Sequence, residues 1–207
     1  MANTRIKICG ITSVDDAAKV VGAGADAIGL VFYDPSPRAV TVAKATEIAK
    51  SVGPFVTVVG LFVNADAAFI ASVLEQVDLH VLQFHGDESP AFCKQFNRPY
   101  MKAIRMKPDV DLSAEIERYS NAAGILLDAY RPGIPGGTGE VFDWARVPRT
   151  AQRPIILAGG LTPENIASAI QATHVYGVDV SGGVESAPGS KSAEKVIEFI
   201  KNARAAM

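Results

Sequence analysis

Two residues of the sequence are suited to acid–base chemistry, and each follows an apolar run. Cys9 ends the apolar part of "RIKICGIT", and Asp128 follows "GILL". A thiolate at Cys9 could act as a nucleophile or as a base. Apolar surroundings favour the protonated form of a carboxyl group, so Asp128 could act as a general acid. Each also has an ordinary alternative: Cys9 as buried filler, and Asp128 as a helix cap or salt-bridge partner.

Two glycine pairs, in "ILAGGL" and "DVSGGV", are the strongest indication of a bound ligand. Glycine lets the backbone approach a ligand closely, and exposed N–H groups can hold an anion. We therefore expect a phosphate site formed by Gly159, Gly160, Ser181, Gly182 and Gly183. The alternative is that these glycines serve only to make tight turns.

Arg38 and His85 are further polar candidates. Arg38 lies in "DPSPRAV", where two prolines stiffen the loop. Its guanidinium suits a carboxylate or phosphate of a ligand, although a structural salt bridge fits equally well. His85 could move protons, although a hydrogen-bonded structural role is the more common one. The long segment "YRPGIPGGTGEVFDW" could close over a ligand.

The elements that must position these residues alternate regularly along the chain. Short apolar runs predict strands at 6–9, 27–32, 55–63, 81–86, 100–106, 124–130, 154–160 and 177–184. Their continuous apolar character is typical of a parallel sheet covered on both faces by helices. Eight strand–helix units predict a single α/β domain over residues 1–207, a (β/α)8 or TIM barrel. An open doubly wound sheet is the alternative, but its G-x-G-x-x-G turn is missing.

In such a barrel the active site lies at the carboxyl ends of the strands. Cys9 and Asp128 both end predicted strands, so they would face each other across the barrel mouth. A nucleophilic cysteine usually needs a histidine partner, and none lies near Cys9 in the sequence. A base that takes a proton from carbon and an acid that gives one to oxygen favour an isomerase.

Composition excludes several classes of protein. The 207 residues carry a formal net charge of -2, which gives no basic footprint for nucleic acid. No apolar run approaches the ~18 residues that span a bilayer. The three histidines are scattered, so we expect no metal site. The two cysteines do not form a disulfide framework, which favours a reducing cytoplasm, and Cys93 is interpreted as core filler.

Seven segments resemble, in order and over the whole chain, the phosphoribosylanthranilate isomerase family of tryptophan biosynthesis. They are "KICGIT", "GLVFYDPSPRAV", "LQFHGDE", "LLDAY", "GGTGEVFDW", "LAGGLTPENI" and "GVDVSGGVESAPGSKS". The resemblance implies a barrel of the ribulose-phosphate-binding type. It also implies a metal-free and cofactor-free Amadori rearrangement of N-(5'-phosphoribosyl)anthranilate, the third step from chorismate. We expect a monomer whose only partner is this small phosphorylated substrate.

The resemblance also implies roles for individual residues. The aspartate matching Asp128 would protonate the ribose ring oxygen, and the cysteine matching Cys9 would take the C2' proton. A Cys9 pKa slightly below the usual cysteine value would suit this task. Arg38 would hold the anthranilate carboxylate, the glycine pairs would hold the phosphate, and His85 and Asp179 would line the site.

Three rival functions differ in what they require. The related histidine-pathway isomerase acts on a ligand with two phosphates, so it needs a second phosphate site in the opposite half of the barrel, and the sequence shows no further glycine pair of that kind. Indole-3-glycerol-phosphate synthase needs a catalytic lysine and glutamates. In this sequence Lys7 could correspond to the lysine, but nothing else fits. A non-catalytic phosphate-binding module would keep the glycine pairs but would not need Cys9 and Asp128 at strand ends.

Overall fold

The fold is a closed barrel of eight parallel strands. The computed structural model of the chain describes residues 4–130 and 142–206. In chain order around the barrel the strands are β1 (Arg5–Cys9), β2 (Ala27–Phe32), β3 (Thr57–Phe62), β4 (Val81–Phe84), β5 (Tyr100–Arg105), β6 (Gly124–Asp128), β7 (Ile155–Leu157) and β8 (Gly177–Val180). β1 pairs with both β2 and β8, which closes the ring. The predicted (β/α)8 barrel is confirmed.

Helices cover the outside of the barrel. Those that the structure describes are α1 (Val14–Gly22), α2 (Val42–Ser51), α3 (Ala67–Leu74), α4 (Pro90–Lys94), α5 (Leu112–Arg118), α6 (Ile166–Thr173) and α7 (Ala193–Ala205). All except α6 follow a Ser, Thr or Asp whose side chain accepts a hydrogen bond from the N–H three residues later. Such a cap satisfies an N–H that has no partner within the helix.

The region between β6 and β7 departs from the expected strand–helix repeat. The described residues there hold a 3-10 helix at Trp144–Arg146 and no α-helix. Residues 131–141 of the segment expected to close over a ligand lie outside the described residues.

The last strand is shorter than predicted. β8 ends at Val180, and Gly182–Val184 form a 3-10 helix. The rest of "VESAPGSKS", all of it within the described residues, forms no helix. Two short antiparallel strands, β9 (Glu185–Ala187) and β10 (Ser190–Lys191), occupy that segment. Gly189 lies at their turn with a φ of +80°, which glycine adopts without strain.

The barrel interior carries charge near the mouth. Side chains alternate along a strand, so Ile6 and Ile8 pack in the main core under the helices while Lys7 and Cys9 face inward. Asp179 on β8 lies opposite Lys7 in the register and is also buried. Barrel interiors are usually filled by branched apolar side chains, so buried charges at this end distinguish the mouth from the rest of the interior.

Within residues 4–130 and 142–206, no helix is both long enough and apolar enough to cross a bilayer.

Candidate active site

A cavity of about 460 Å³ opens at the carboxyl ends of the strands. All ten residues that the sequence proposed for the site line it: Cys9, Arg38, His85, Asp128, Gly159, Gly160, Asp179, Ser181, Gly182 and Gly183. They come from six strands or the loops that follow them. The barrel therefore brings together residues that are up to 174 positions apart in the chain (183 minus 9).

Cys9 is the last residue of β1 and is only 5% exposed. Gly29 lies beside it on β2, where a Cβ atom would come within 2.6 Å of the sulfur. Glycine at this position therefore leaves room for the thiol. Burial raises the pKa of Cys9, and the nearby Lys7 ammonium opposes this effect without overcoming it. The expectation of a pKa below the usual value is wrong for the free enzyme, because desolvation outweighs the positive charge.

Lys7 and Asp179 form a buried ion pair beneath Cys9. Lys7 Nζ lies 2.9 Å from Asp179 Oδ1, and both side chains are less than a tenth exposed. Burial lowers the pKa of Lys7, but the negative charges of Asp179 and Cys9 more than compensate, so the pKa stands above its usual value. Lys7 is therefore a fixed positive charge on the same face of β1 as the sulfur.

Asp128 ends β6, on the other side of the cavity from β1 in the strand order. It is buried, and its Oδ2 lies 3.0 Å from His85 Nε2. His85 Nδ1 lies 3.0 Å from the side-chain nitrogen of Gln83. Gln83, His85 and Asp128 thus form a connected chain of polar side chains in the wall of the cavity.

Arg38 is held by a carboxylate of the protein itself. Its Nε and Nη2 each donate to one oxygen of Glu185 at 2.8 Å, in a two-pronged arrangement. Lys191 Nζ, which is completely buried, donates to the same carboxylate at 2.8 Å. Burial would raise the pKa of Glu185, but Arg38 and Lys191 outweigh it and hold the pKa below its usual range. The structural salt bridge considered for Arg38 is therefore present, and the side chain still lines the cavity.

The loop after β7 presents free backbone donors. Gly159 and Gly160 adopt φ values of +80° and +62°, which favour glycine. Their N–H groups donate to no acceptor among the residues that the structure describes. Asn165 fixes the loop, because its side chain donates to Gly160 O at 2.8 Å and accepts from Thr162 N at 2.9 Å.

The loop after β8 packs against this first loop. A Cβ atom on Gly183 would collide with the carbonyl oxygen of Leu161. Gly182 passes Arg38, whose Nη2 would lie 3.1 Å from an added Cβ. Ser181 Oγ donates to Cys9 O at 3.0 Å, which ties this loop to the end of β1. The glycines therefore have a packing role in addition to any contact with a ligand.

The sequence interpretation missed four polar residues that support the site: Lys7, Gln83, Glu185 and Lys191. Lys7 stands two residues before Cys9, and Gln83 stands two residues before His85. Residues two apart on a strand share a face, so this spacing could have identified both as neighbours of the site. Glu185 and Lys191 have no such signal, because the turn between β9 and β10 brings them together. Across the described ranges no three His, Cys, Asp or Glu residues are grouped to hold a metal ion.

Comparison with known proteins agrees with this geometry. The family model described as N-(5'phosphoribosyl)anthranilate (PRA) isomerase matches residues 6–202. An N-(5'-phosphoribosyl)anthranilate isomerase from Cellvibrio japonicus (strain Ueda107) is 64% identical over 200 residues, which cover 97% of this chain and 93% of that protein.

Solved structures extend the similarity to three dimensions. A phosphoribosyl anthranilate isomerase from Thermotoga maritima has a TM-score of 0.90 and 39% identity, covering 98% of this chain and 99% of that one. A second structure, in complex with reduced 1-(o-carboxyphenylamino)-1-deoxyribulose 5-phosphate, has a TM-score of 0.87 and 37% identity, with coverage of 98% and 99%. A third, of monomers generated from the dimeric Thermotoga maritima enzyme, has a TM-score of 0.83 and 36% identity, with the same coverage. The chain belongs to the N-(5'-phosphoribosyl)anthranilate isomerase family.

Proposed function

We propose that this isomerase converts N-(5'-phosphoribosyl)anthranilate to 1-(2-carboxyphenylamino)-1-deoxyribulose 5-phosphate, the third step from chorismate in tryptophan biosynthesis. One observation supports the proposal most directly. Cys9 and Asp128 line a single cavity from β1 and β6, two strands that β7 and β8 separate, with the glycine loops after β7 and β8 beside them. An Amadori rearrangement needs such an acid and base, and neither a metal nor a redox group.

In the first step of the proposed mechanism, Asp128 acts as the general acid. It gives its proton to the ribose ring oxygen, the C1'–O bond breaks, and the anthranilate nitrogen supplies the electrons that form an iminium. The position of Asp128 supports this role, because the side chain lines the cavity where it can reach a bound substrate. His85 orients the acid through the hydrogen bond to Oδ2.

In the second step Cys9 acts as the general base. The iminium makes the C2' proton acidic, the sulfur takes that proton, and the C2'–H electrons form an enolamine. Tautomerisation of the enolamine gives the ketone product, and the protons on Cys9 and Asp128 exchange with solvent before the next turnover. Substrate bearing a positive iminium nitrogen near the sulfur would offset the burial that raises the pKa of Cys9.

The two charged ends of the substrate have separate places in this proposal. The free N–H groups of Gly159 and Gly160, with Ser181, Gly182 and Gly183, would hold the phosphate. Arg38 would hold the anthranilate carboxylate. Its two hydrogen bonds to Glu185 fix the guanidinium in place, so it need not be ordered when substrate binds. Asp179 would act through its ion pair with Lys7.

We also propose that the protein is a cytoplasmic monomer. Large apolar side chains that are exposed in the described part of the chain are scattered, three on different helices and two in loops before strands: Val14, Phe69, Ile197, Phe55 and Tyr176. Such isolated residues are normal on a monomer. The mass in solution tests this. A monomer has a mass of 21.8 kDa, and a dimer like that of the Thermotoga maritima relative would have twice this mass.

The decisive experiment compares two substrates. Purified protein is mixed with freshly prepared phosphoribosylanthranilate, and the loss of its fluorescence is followed. The bisphosphorylated substrate of the histidine-pathway isomerase is assayed in parallel by absorbance. We expect turnover of the first substrate only. Turnover of the second substrate alone would reassign the site to the histidine-pathway reaction, and binding of phosphate without either turnover would indicate a non-catalytic module.

A further inference from the structure

The buried Lys7–Asp179 pair has a position that packing alone does not explain. Both residues lie on neighbouring strands inside the barrel, directly opposite each other in the register. Replacing a buried ion pair by apolar side chains of similar volume is often neutral or stabilising. The interior of a barrel is ordinarily filled by such side chains. A lysine and an aspartate here therefore suggest a requirement for charge at this point.

Lys7 acts on the sulfur more strongly than the other charged groups around it do. It shares the inward face of β1 with Cys9, two residues away. Among the groups that affect the pKa of Cys9, burial has the largest effect and the Lys7 charge the next largest. Asp179 on β8 opposes Lys7, and Lys191 on β10 assists it more weakly.

The remaining cations near Cys9 are committed elsewhere. Arg38, in the loop after β2, and Lys191 both bind the carboxylate of Glu185. Lys7 has a single described carboxylate partner, Asp179, which fixes the ammonium below the sulfur. A negative charge on Cys9 would therefore lie next to an ammonium that cannot swing away.

We infer that Lys7 is a positioning residue for the reaction, whose ammonium stabilises the proton-accepting form of Cys9 against the burial of the sulfur, and that Asp179 sets how strongly it does so. The inference deepens the role proposed for Cys9 and rests on it. Lys7 does not line the cavity, so it acts through the sulfur rather than on the substrate. The chemistry is that of a lysine ammonium balancing a thiolate, and it requires no further cofactor.

The test measures the state of the sulfur without substrate. Each variant is treated with iodoacetamide over a range of pH, and the modified cysteine is located by mass spectrometry. Cys93 is an internal reference, because burial raises its pKa to about 12 and it should stay unmodified over most of the range. Cys9→Ala identifies the signal that belongs to Cys9.

Four variants should differ in the direction or size of the shift in the Cys9 alkylation midpoint. Lys7→Met should move the midpoint of Cys9 alkylation upward by about 1–3 pH units, because an opposite charge at close range is lost. Lys7→Arg should keep the midpoint near that of the wild type. Asp179→Asn should move it downward, because a negative charge near the sulfur is lost. Lys191→Met is the matched control, which removes another buried and paired lysine but should shift the midpoint less than Lys7→Met.

The results separate this inference from the proposed function. An unchanged midpoint in Lys7→Met, or an upward shift in Asp179→Asn, would overturn the inference. If circular dichroism shows that Lys7→Met is unfolded, the direction of the shift in Asp179→Asn decides. Undiminished isomerase turnover in Cys9→Ala would instead refute the base role of Cys9, whatever the alkylation midpoints show.

Discussion

His85 Nε2 lies 3.0 Å from Asp128 Oδ2, and the opposite ring nitrogen faces the side-chain nitrogen of Gln83. An amide nitrogen can only donate, so in this orientation of Gln83 the Nδ1 atom accepts, and a proton on Nε2 would point at Asp128 Oδ2. Gln83 Oε1 is buried and has no hydrogen-bond partner among the described residues. Rotation of this amide by 180° would present the oxygen to Nδ1 and suit the form in which Asp128 carries a proton. Gln83 therefore couples to the protonation of the acid through the ring.

Replacement of Asp128, the proposed acid, should greatly reduce turnover while leaving the fold intact. Asp128→Asn keeps an oxygen that can accept from His85 but has no acidic proton. We expect kcat to fall about 10²–10⁴-fold, the usual range for removal of a general acid. The measurement is the fluorescence assay with phosphoribosylanthranilate. Asp109→Asn, at an exposed position, is the control and should keep full activity. Turnover in Asp128→Asn within a few-fold of the wild type would contradict the assignment.

Removal of the base should have a similar effect and should reveal its pH dependence. Cys9→Ser should lose about 10²–10⁴-fold in kcat, because a hydroxyl is a far weaker acid than a thiol and remains protonated. In the wild type, burial raises the pKa of Cys9, so the thiolate fraction should keep growing as the pH rises through neutrality. A profile of kcat/KM against pH should therefore rise into the alkaline range. Cys93→Ala is the control, and a profile that is flat above pH 7 would argue against a thiol base.

The guanidinium group of Arg38 should matter more for substrate binding than for the chemical step. Arg38→Lys keeps the charge but cannot make two parallel hydrogen bonds to Glu185. We expect KM to rise roughly tenfold to a hundredfold, because one or two charge-assisted hydrogen bonds are lost, and we expect a smaller change in kcat. Arg5→Lys is the matched control, because Arg5 forms an exposed ion pair with Asp26. An unchanged KM in Arg38→Lys would remove Arg38 from the binding site.

Glu185 should make stability depend on pH in the acid range. Arg38 and Lys191 outweigh burial and lower the pKa of Glu185 in the folded protein. A lowered pKa adds stability at a pH above the unfolded value and loses it as the pH falls through the folded value. The free energy of unfolding, measured by urea denaturation, should therefore be higher in the wild type than in Glu185→Gln at pH 7. The difference should shrink as the pH falls below 4.5, the ordinary value for glutamate. A difference that grows in acid would be inconsistent with the ion pair.

Two glycine-to-alanine substitutions should change stability in opposite directions. An added methyl group at Gly183 meets the carbonyl oxygen of Leu161, which cannot move without disturbing the loop after β7. Gly183→Ala should lower the free energy of unfolding by about 1–3 kcal/mol, as overpacking does. Gly22, in α1, has no atom within 4 Å of the added group, so Gly22→Ala should raise stability by up to about 1 kcal/mol. Urea denaturation measures the free energy of unfolding of both variants. Equal changes in this free energy for the two variants would contradict the close packing of the loops.

Most of the barrel could be predicted because its signals are local. Continuous apolar runs predict the eight strands, and Ser13 and Thr41 can be recognised in the sequence as helix caps. Thr162 and Pro163 also resemble a helix start, which would begin α6 too early. In the structure the Asn165 side chain binds the Thr162 N–H instead, and the helix begins at Ile166. The strand pair after β8 was missed because it depends on a turn rather than on a period.

The location of the site was predictable, but its internal pairing was not. Strand ends in a parallel barrel converge, so Cys9, His85 and Asp128 could be placed together from the sequence. Which charged groups then pair depends on register and on long-range closure. The Arg38–Glu185 contact joins residues 147 positions apart. The pKa of Cys9 was predicted in the wrong direction because burial is a tertiary property that an isolated strand sequence does not report.

The closure of the barrel by β1 and β8 has a consequence for how the enzyme is made. Lys7 meets Asp179, and Cys9 O meets Ser181, only across a separation of 172 residues. A chain that emerges from the ribosome from its amino end therefore exposes Cys9 long before these partners exist. Contacts between such distant positions form late in folding, because closing the long intervening loop first costs conformational entropy. Activity should consequently appear only after the final strand has been released, so an incompletely synthesised chain would remain catalytically silent.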